Sequence, residues 1–253
     1  MVALGFLAGI WSAARRSPRA GIPGEKVVDL GPWLILGAIA GARALYVFTF
    51  WDEQFASAPM VEVFKVWTGG LVYYGGLIGA SIACIVYCLA KRLPLWKIAD
   101  VLAPSVALGQ VFGRLGCLLN GCCYGASTGL PWGIAYPAAH ATHPAGMEAA
   151  VVHPTQVYES LASLGLYAGL AWLFRRRKFD GQVFGGFLAG YAVIRSVVEL
   201  FRGDYPPEQV MYGGATPAHL VSALIFVAGV TLLAVRRRNS ARPQTSRDQQ
   251  GEG

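Results

Sequence analysis

The chain has 253 residues, of which 55% are hydrophobic and only 14% are charged, and its mean hydropathy is positive. A soluble domain has a similar apolar share but about a quarter of its residues charged, so this composition excludes an ordinary soluble protein. The formal net charge of +7 does not require a nucleic acid partner, because basic residues beside membrane spans set topology and attract anionic lipid headgroups.

Seven apolar segments have about the length that a membrane-spanning helix needs. Crossing about 30 Å of hydrocarbon takes roughly twenty mostly apolar residues. The segments lie near residues 1–14, 28–50, 71–90, 98–119, 155–174, 182–201 and 216–235. The first is short, and its basic residues follow the apolar run, which is the wrong order for a signal peptide. We expect the sequence to begin inside this helix, or its natural start to lie upstream.

The basic clusters orient these segments. They follow the first, third, fifth and seventh segments, at residues 15–26, 91–97, 175–178 and 236–247. The positive-inside rule makes their side the cytoplasm, which predicts an outside N-terminus and a cytoplasmic C-terminus. Because no linker interrupts the chain before Arg236, we predict one membrane-embedded domain over 1–236 and a disordered polar cytoplasmic tail over 237–253. The fold class is therefore an all-α, polytopic membrane helix bundle of about seven spans.

Three arginines, Arg43, Arg114 and Arg195, lie within the predicted spans rather than beside them. An arginine inside a membrane costs at least a few kcal/mol and usually faces a polar cavity or a partner. The predicted topology places all three in the outer half of the bilayer or near its middle. They are the leading candidates for functional residues.

Acidic residues offer partial compensation for this charge. Glu199 lies one helical turn after Arg195, on the same face, and Arg202 continues that face. An Arg195–Glu199 pair that only locks helices together is one interpretation. With only Glu159 and Glu199 as acids within the spans, however, three arginines leave positive charge unpaired, and we expect an anion to complete the site. A phosphate from an outer-leaflet phospholipid suits the planar donors of a guanidinium.

Glycines cluster at the predicted outer ends of the third and fourth spans. They include Gly75, Gly76, Gly113, Gly116 and Gly125. Missing side chains allow either a ligand or a second helix to approach the backbone closely, and the sequence leaves both interpretations open.

Five motifs in order resemble those of the bacterial prolipoprotein diacylglyceryl transferases. The likeness extends over nearly the whole chain, from about Gly5 to Arg236. The motifs are GARALY (41–46), VWTGGLVYYGGLIGA (66–80), GRLGCLLNGCCYG (113–125), HPTQVYES (153–160) and GYAVIRSVVELFRGD (190–204).

The resemblance implies a reaction and its substrates. Such enzymes transfer the diacylglyceryl group of phosphatidylglycerol to the lipobox cysteine of a prolipoprotein signal peptide, forming a thioether and releasing glycerol phosphate. They are multi-pass proteins of the bacterial inner membrane that work among membrane lipids, and no cofactor is expected.

The resemblance also implies roles for individual residues. Arg114 and Arg195 match the essential arginines of the family and are expected to grip the phosphate. Further matches are the helix-six residues Glu199 and Arg202, the second-helix pair Arg43 and Tyr46, and the signature residues Gly113, Gly116, Asn120 and Gly125.

Three positions depart from the family pattern. Tyr74 precedes Gly75 and Gly76 where many members carry a histidine, which is the usual candidate for the base that deprotonates the attacking thiol. A thiol of pKa about 8.5 needs such help near neutrality, and Tyr74, His153 and Glu199 are the alternatives. Cys117 and Cys122 replace an asparagine and an acid.

The cysteines of the GRLGCLLNGCCYG motif admit several interpretations. We expect Cys117, Cys122 and Cys123 to pack beside Arg114, with none of them a required nucleophile and no metal bound. A disulfide is an alternative on the oxidising outer side. A zinc site that also recruits His140, His143 and His153 is another, although the spacing is not a standard zinc pattern.

The HPTQVYES motif predicts a helix start, because its proline precedes a span. Thr155 is the expected N-cap residue. The motif is either a plain helix N-terminus or a turn that directs Gln156, Tyr158 and Glu159 into a lipid cavity.

The sequence thus predicts a seven-helix inner-membrane transferase whose cavity opens to the outer leaflet. The alternative is a non-catalytic membrane paralogue that binds or transports phospholipid or binds metal, which the loss of the motif histidine keeps open.

Overall fold

The computed structural model describes residues 1–56, 59–136, 151–202 and 216–241, which form mostly α-helices. The helices are α1 (Val2–Arg16), α2 (Gly24–Thr49), α3 (Tyr73–Ala90), α4 (Leu95–Asn120), α5 (Thr155–Arg176), α6 (Gln182–Glu199) and α7 (Pro217–Ala241). One short antiparallel pair of strands joins β1 (Ile134–Ala135) to β2 (Val151–Val152). Each helix overlaps one predicted segment, which confirms a helical membrane protein. His140 and His143 lie outside the described residues.

Five helices among the described residues are long and apolar enough to cross a membrane. They are α2, α3, α4, α5 and the Pro217–Ser240 part of α7. Helix α1 has 15 residues, and α6 carries Arg195 and Glu199 within 18 residues, so neither meets the same criterion. The protein is therefore a multi-pass membrane protein, whereas the seven crossings and the sides of the termini stay predictions.

Basic side chains at helix ends lie over aromatic rings. The guanidinium carbon of Arg15 is 4.0 Å from the centre of the Trp11 ring, and that of Arg176 is 4.5 Å from the Trp172 ring. Tryptophan and arginine together are typical of the membrane–water interface. Helix α7 continues past Arg236 to Ala241, so the predicted start of the polar tail lies within a helix.

The chain divides into two compact groups, of which the first is Ile10–Ile98. Its main contact is between α2 and α3. An added Cβ on Gly41 would overlap the carbonyl oxygen of Gly75, and one on Gly79 would overlap that of Gly37. Gly75 therefore serves the close packing of two helices, as small residues do in membrane proteins.

The second group comprises Met1–Gly9 and the described residues from Ala99 onward. In it α5 packs on α6, and α6 packs on α7. The start of α6 is held by Asp100 of α4, which is fully buried. One carboxylate oxygen accepts a hydrogen bond from the Gly181 N–H, at 2.8 Å, and the other accepts from the N–H groups of Val183 and Phe184, both at 2.9 Å.

Asp100 corrects the count of acids made from the sequence. That count included only Glu159 and Glu199 within the spans, yet Asp29 of α2 and Asp100 of α4 also lie in helices that can cross the membrane. Of these two acids, only Asp100 is buried. Its carboxylate is engaged by backbone N–H groups at a helix N-terminus, which is a favourable place for negative charge. It pairs with none of the three arginines of the predicted spans in any contact among the described residues.

Candidate active site

Arg114 of α4 forms an ion pair with Glu159 of α5. The Nη2 atom lies 2.9 Å from Oε1, and the side chains are 23% and 4% exposed. Glu159 is thus buried with its charge compensated, as burial of a carboxylate requires. A guanidinium carries five N–H donors, which is more than this ion pair uses, so Arg114 can accept a second anion without losing Glu159.

Arg195 and Glu199 form the second ion pair, within α6. The Nη1 atom lies 2.5 Å from Oε2, and the Glu199 side chain has no exposed surface. Both atoms are buried without an aligned hydrogen bond among the described residues, so this pair is close but poorly oriented. The internal pair that the spacing predicted is therefore present.

A threonine that sequence reasoning missed holds the other oxygen of Glu199. The hydroxyl of Thr216 donates to Glu199 Oε1 at 2.8 Å and lies 3.0 Å from Nδ1 of His219. The backbone N–H of Thr216 also donates to Nδ1, at 3.2 Å. The sequence Thr216-Pro-Ala-His219 has the form of a capping box, with histidine in the usual place of glutamate and proline at the first helical position. That pattern is the signal that could have found both residues.

Helix α6 comes within reach of Arg114 one turn before Arg195. Tyr191 lies four residues before Arg195, hence on the same helix face, and is close enough to Arg114 to interact with it electrostatically. The Arg114–Glu159 pair therefore joins α4 to α5, and Tyr191 extends the surroundings of Arg114 to the helix that carries the second pair. Tyr191 is a further residue of this site that the sequence did not single out.

Arg43 of α2 has a different environment, in the group Ile10–Ile98. It is 7% exposed, and its guanidinium donates to four backbone carbonyl oxygens. The acceptors are Val63 at 2.8 Å, Gly69 at 2.9 Å, Gly70 at 3.3 Å and Glu62 at 2.5 Å. Peptide dipoles therefore compensate this charge and tie the chain between 62 and 70 to α2. Its expected contact with lipid phosphate stays a prediction.

Two of the three tyrosines proposed for the site, Tyr46 and Tyr74, belong to the same group as Arg43. The hydroxyl of Tyr46 donates to Oε1 of Gln54 at 2.9 Å, and its ring centre is 5.5 Å from the Arg43 guanidinium. Tyr74 lies in the first turn of α3 with 60% of its surface exposed, and its ring contacts that of Tyr73.

The first turn of α5 contacts the segment that follows α4. Thr155 was expected to cap this helix, but that expectation is wrong. Thr155 is the first helical residue, and its hydroxyl donates to the Cys123 carbonyl oxygen at 2.9 Å. The Gln156 amide donates to the Cys122 carbonyl oxygen at 2.7 Å. The motif therefore orders the cysteine segment as well as starting a helix.

Tyr158 and His153 form a small polar cluster beside that turn. The hydroxyl of Tyr158 accepts a hydrogen bond from the Trp132 indole at 2.8 Å and lies 3.3 Å from Nδ1 of His153. Both rings also contact Phe201. His153 thus has an ordered ring beside the first turn of α5, and its role as a base stays a prediction.

The signature glycines have unlike surroundings. An added Cβ on Gly113 would meet no atom within 4 Å, whereas one on Gly125 would overlap Phe201, Thr155 and His153. Gly116 faces Met1, at 3.2 Å, and Gly76 faces the Ala38 carbonyl oxygen, at 3.4 Å. Only Gly113 among these four borders open space, which suits approach by a ligand.

Helix α4 ends at Asn120, which is exposed, in a Schellman motif. Gly121 has a φ of 66°, its N–H donates to the Leu118 carbonyl oxygen, and the Cys122 N–H donates to that of Cys117. This reversal brings the three thiols together. All are free and partly buried, and burial, followed by the Cys122 thiol, raises the pKa of Cys123. Cys123 is therefore a neutral thiol near pH 7, as expected of a group that is not a nucleophile.

Arg202 lies three residues after the end of α6 at Glu199. Its backbone N–H donates to the Glu199 carbonyl oxygen at 3.1 Å, and its guanidinium interacts electrostatically with the Cys123 thiol. The cationic side chain thus lies near the end of α4 as well as the end of α6.

Comparison with known proteins gives one consistent family. The model of the prolipoprotein diacylglyceryl transferase family matches residues 1–235. A phosphatidylglycerol–prolipoprotein diacylglyceryl transferase of Finegoldia magna is 35% identical, over 92% of this chain and 87% of its own. Proteins of the same name from Thermosynechococcus vestitus and Gloeobacter violaceus are 33% and 36% identical, over 90% and 96% of this chain and 84% and 89% of theirs.

Proposed function

The chain belongs to the prolipoprotein diacylglyceryl transferase family, and we propose that it joins the diacylglyceryl group of phosphatidylglycerol to the lipobox cysteine of a prolipoprotein. The relatives carry the transferase name, and no finding supports a non-catalytic paralogue. The new bond is a thioether between the cysteine sulfur and the glyceryl carbon. The bond that breaks joins this carbon to a phosphate oxygen, and glycerol phosphate leaves with the bonding electrons.

One observation carries the proposal for the site: two arginines of the membrane bundle, each paired with a buried glutamate. Negative charge develops on the phosphate as the carbon–oxygen bond breaks, and preorganised cations in a low-dielectric site stabilise it. Arg114 and Arg195 lie within ion-pair distance of Glu159 and Glu199, so both cations are near these helices before substrate binds. Both pairs are neutral before substrate binds, which lowers the cost of inserting the cations.

The thiol proton requires an acceptor, and we assign this role to Glu199. Tyr74 is largely exposed, and its ring contacts Tyr73, so it offers no buried acceptor for this proton. When phosphate engages Arg195, the poorly aligned pair with Glu199 loses strength. A buried carboxylate whose ion pair is weakened accepts a proton more readily, while Thr216 holds its other oxygen in place.

The remaining residues position lipid and peptide. Gly113 borders the open space beside α4, where an acyl chain or the glyceryl backbone can lie against the helix. Tyr158, Gln156 and His153 order the loop next to Arg114. Arg202 is placed to attract the anionic headgroup towards the end of α6.

We propose that the protein lies in the bacterial inner membrane with its cavity open to the outer leaflet. Helices α1 and α5 end in basic residues, and Lys91 and Arg92 follow α3. These ends fall on one side if the chain crosses seven times, which the positive-inside rule makes cytoplasmic. Helix α4 would then begin on the cytoplasmic side, and Arg114 lies near its other end, towards the outer leaflet.

A transfer assay on purified protein tests this function. Vesicles containing phosphatidylglycerol are mixed with a lipobox peptide, and mass spectrometry detects the thioether-linked glyceride and free glycerol phosphate. A peptide with serine in place of the lipobox cysteine is the control and should gain no lipid. Product absent with the cysteine peptide, from protein that still binds phosphatidylglycerol, would support a binding protein instead.

A further inference from the structure

Two backbone turns after α4 bring the thiols of Cys117, Cys122 and Cys123 together. The Schellman motif at Gly121 returns Cys122 over Cys117, which are the two positions that normally make a hydrophobic contact in this motif. Helix capping alone therefore explains the approach of two thiols. Helix capping does not account for the position of Cys123. Its backbone has a φ of 62°, in a left-handed region that residues other than glycine seldom adopt. This turn places the third sulfur against the other two.

The resulting distances suit a metal ion. The Sγ atoms of Cys117, Cys122 and Cys123 all lie within 4.8 Å of one another. Three sulfurs bound to one zinc ion at about 2.3 Å in tetrahedral geometry lie about 3.8 Å apart, so small side-chain rotations complete the site. We propose that these three thiols bind one thiophilic d10 ion, of the class of Zn²⁺ or Cu⁺.

The backbone of the cluster is ordered before any ion arrives. Thr155 and Gln156 donate hydrogen bonds to the carbonyl oxygens of Cys123 and Cys122, and the Gly125 N–H donates to the His153 carbonyl oxygen at 2.9 Å. Metal sites depend on such supporting hydrogen bonds to hold their ligands in position. The thiols are partly exposed rather than sealed in the core, which leaves a path for entry.

The charge around the cluster favours a metal–thiolate complex. Binding releases three protons from the thiols to solvent, and the complex carries a net charge of minus one with Zn²⁺ or minus two with Cu⁺. Arg114 interacts electrostatically with Cys117 and Cys123, and Arg202 interacts with Cys123. Both cations offset that negative charge. No fourth cysteine, histidine or acid joins the group among the described residues, so water completes a zinc site, whereas Cu⁺ is satisfied by three sulfurs.

The test uses the reduced, full-length protein in detergent, separately titrated with Zn²⁺, Cu⁺ and the spectroscopic substitute Co²⁺. We expect one bound ion per chain by elemental analysis after dialysis, and a thiolate-to-cobalt charge-transfer band. Cys117→Ser, Cys122→Ser and Cys123→Ser should each weaken binding at least tenfold, since even loss of a residue that only supports a ligand costs about that much. Cys84→Ser and Cys88→Ser in α3 are matched controls and should leave binding unchanged.

A second measurement needs no variant. Metal-loaded protein is treated with an alkylating reagent, and mass spectrometry locates the modified thiols. Protection of Cys117, Cys122 and Cys123, but not of Cys84, supports the site. Less than one ion per chain, equal effects of all five serine changes, or metal loading that leaves the three thiols unprotected would overturn it. Because no readout uses lipid transfer, the result is independent of the proposed function.

Discussion

The carboxylate of Asp100 in α4 accepts a hydrogen bond from the backbone N–H of Val183 in α6, at 2.9 Å. Helix α4 therefore holds the start of the helix that carries Arg195 and Glu199, while its own far end carries Arg114. One helix thus sets the positions of both candidate phosphate ligands. Asp100 is buried and makes no contact with the proposed substrate, yet it helps to set where Arg195 and Glu199 lie.

We expect Asp100→Asn to destabilise the protein by about 2–4 kcal/mol. The amide oxygen can accept fewer hydrogen bonds than the carboxylate, and buried N–H groups left without an acceptor are costly, more so when the lost acceptor is charged. Thermal unfolding in detergent measures the effect, with Asp29→Asn, an exposed acid in α2, as the control. Equal melting temperatures for Asp100→Asn and the native protein would contradict a capping role.

Relationships within one helix were predictable from the sequence. The Arg195–Glu199 pair follows from a spacing of four residues, and the helices follow from long apolar segments. The start of α5 at the HPTQVYES motif was also correct. These features depend on local periodicity and on helix-end chemistry, and both are determined by residues close together in the sequence.

Relationships between helices were not predictable. Glu159 was recognised as an acid within a span, but its pairing with Arg114 depends on how α4 and α5 pack. Arg43 donates hydrogen bonds to backbone carbonyl oxygens between residues 62 and 70. Every residue has such a carbonyl, so the sequence does not indicate which ones act as acceptors. The first turn of α5 contacts the segment that follows α4, and the Thr155 hydroxyl donates to the Cys123 carbonyl oxygen there. The helix-capping pattern, which considers only neighbouring residues, therefore predicted the wrong partner for Thr155.

Arg114→Lys should lower transfer by two to three orders of magnitude, as removal of one oxyanion-stabilising donor does. Lysine retains a charge for Glu159, so the fold survives, but it lacks the planar fork that binds phosphate at two points. Arg114→Ala should lose as much activity and some stability, because it leaves Glu159 buried without a partner. Turnover is measured with phosphatidylglycerol vesicles and lipobox peptide.

The matched control for this change is Arg15→Lys, at the exposed end of α1, which should transfer normally. Arg195→Ala should show the same activity loss as Arg114→Ala. Near-normal turnover in the alanine variants at both positions would exclude a phosphate clamp.

Thr216→Val should reduce turnover severalfold and stability by about 1–2 kcal/mol. Valine has nearly the shape of threonine, but it removes the hydroxyl that donates to Glu199 at 2.8 Å, and a hydrogen bond to a charged group contributes this much. Thr216→Ser restores the donor and should restore both properties. If valine and serine behave alike, the hydroxyl does not orient Glu199.

A reporter fused after Arg238 should lie in the cytoplasm. The basic residues at the ends of α1, α5 and α7 all fall on one side of the membrane if each of the seven helices crosses it, and the positive-inside rule makes that side the cytoplasm. A cysteine introduced at Glu148, in the connection between α4 and α5, should react from outside intact cells. Reaction at Glu148 from inside only, or an outside reporter, would require a different set of spans.

Gly113→Ala tests whether the open space beside α4 receives lipid. The added methyl group meets no protein atom within 4 Å, and alanine favours a helix over glycine by about 0.5–1 kcal/mol, so stability should be unchanged or slightly raised. If the glyceryl backbone or an acyl chain lies there, the KM for phosphatidylglycerol should rise severalfold. Gly109→Ala, one turn earlier and equally open, is the control and should leave KM unchanged. An unchanged KM in Gly113→Ala would place the lipid elsewhere, and an equal rise in both variants would indicate a general effect of stiffening the helix.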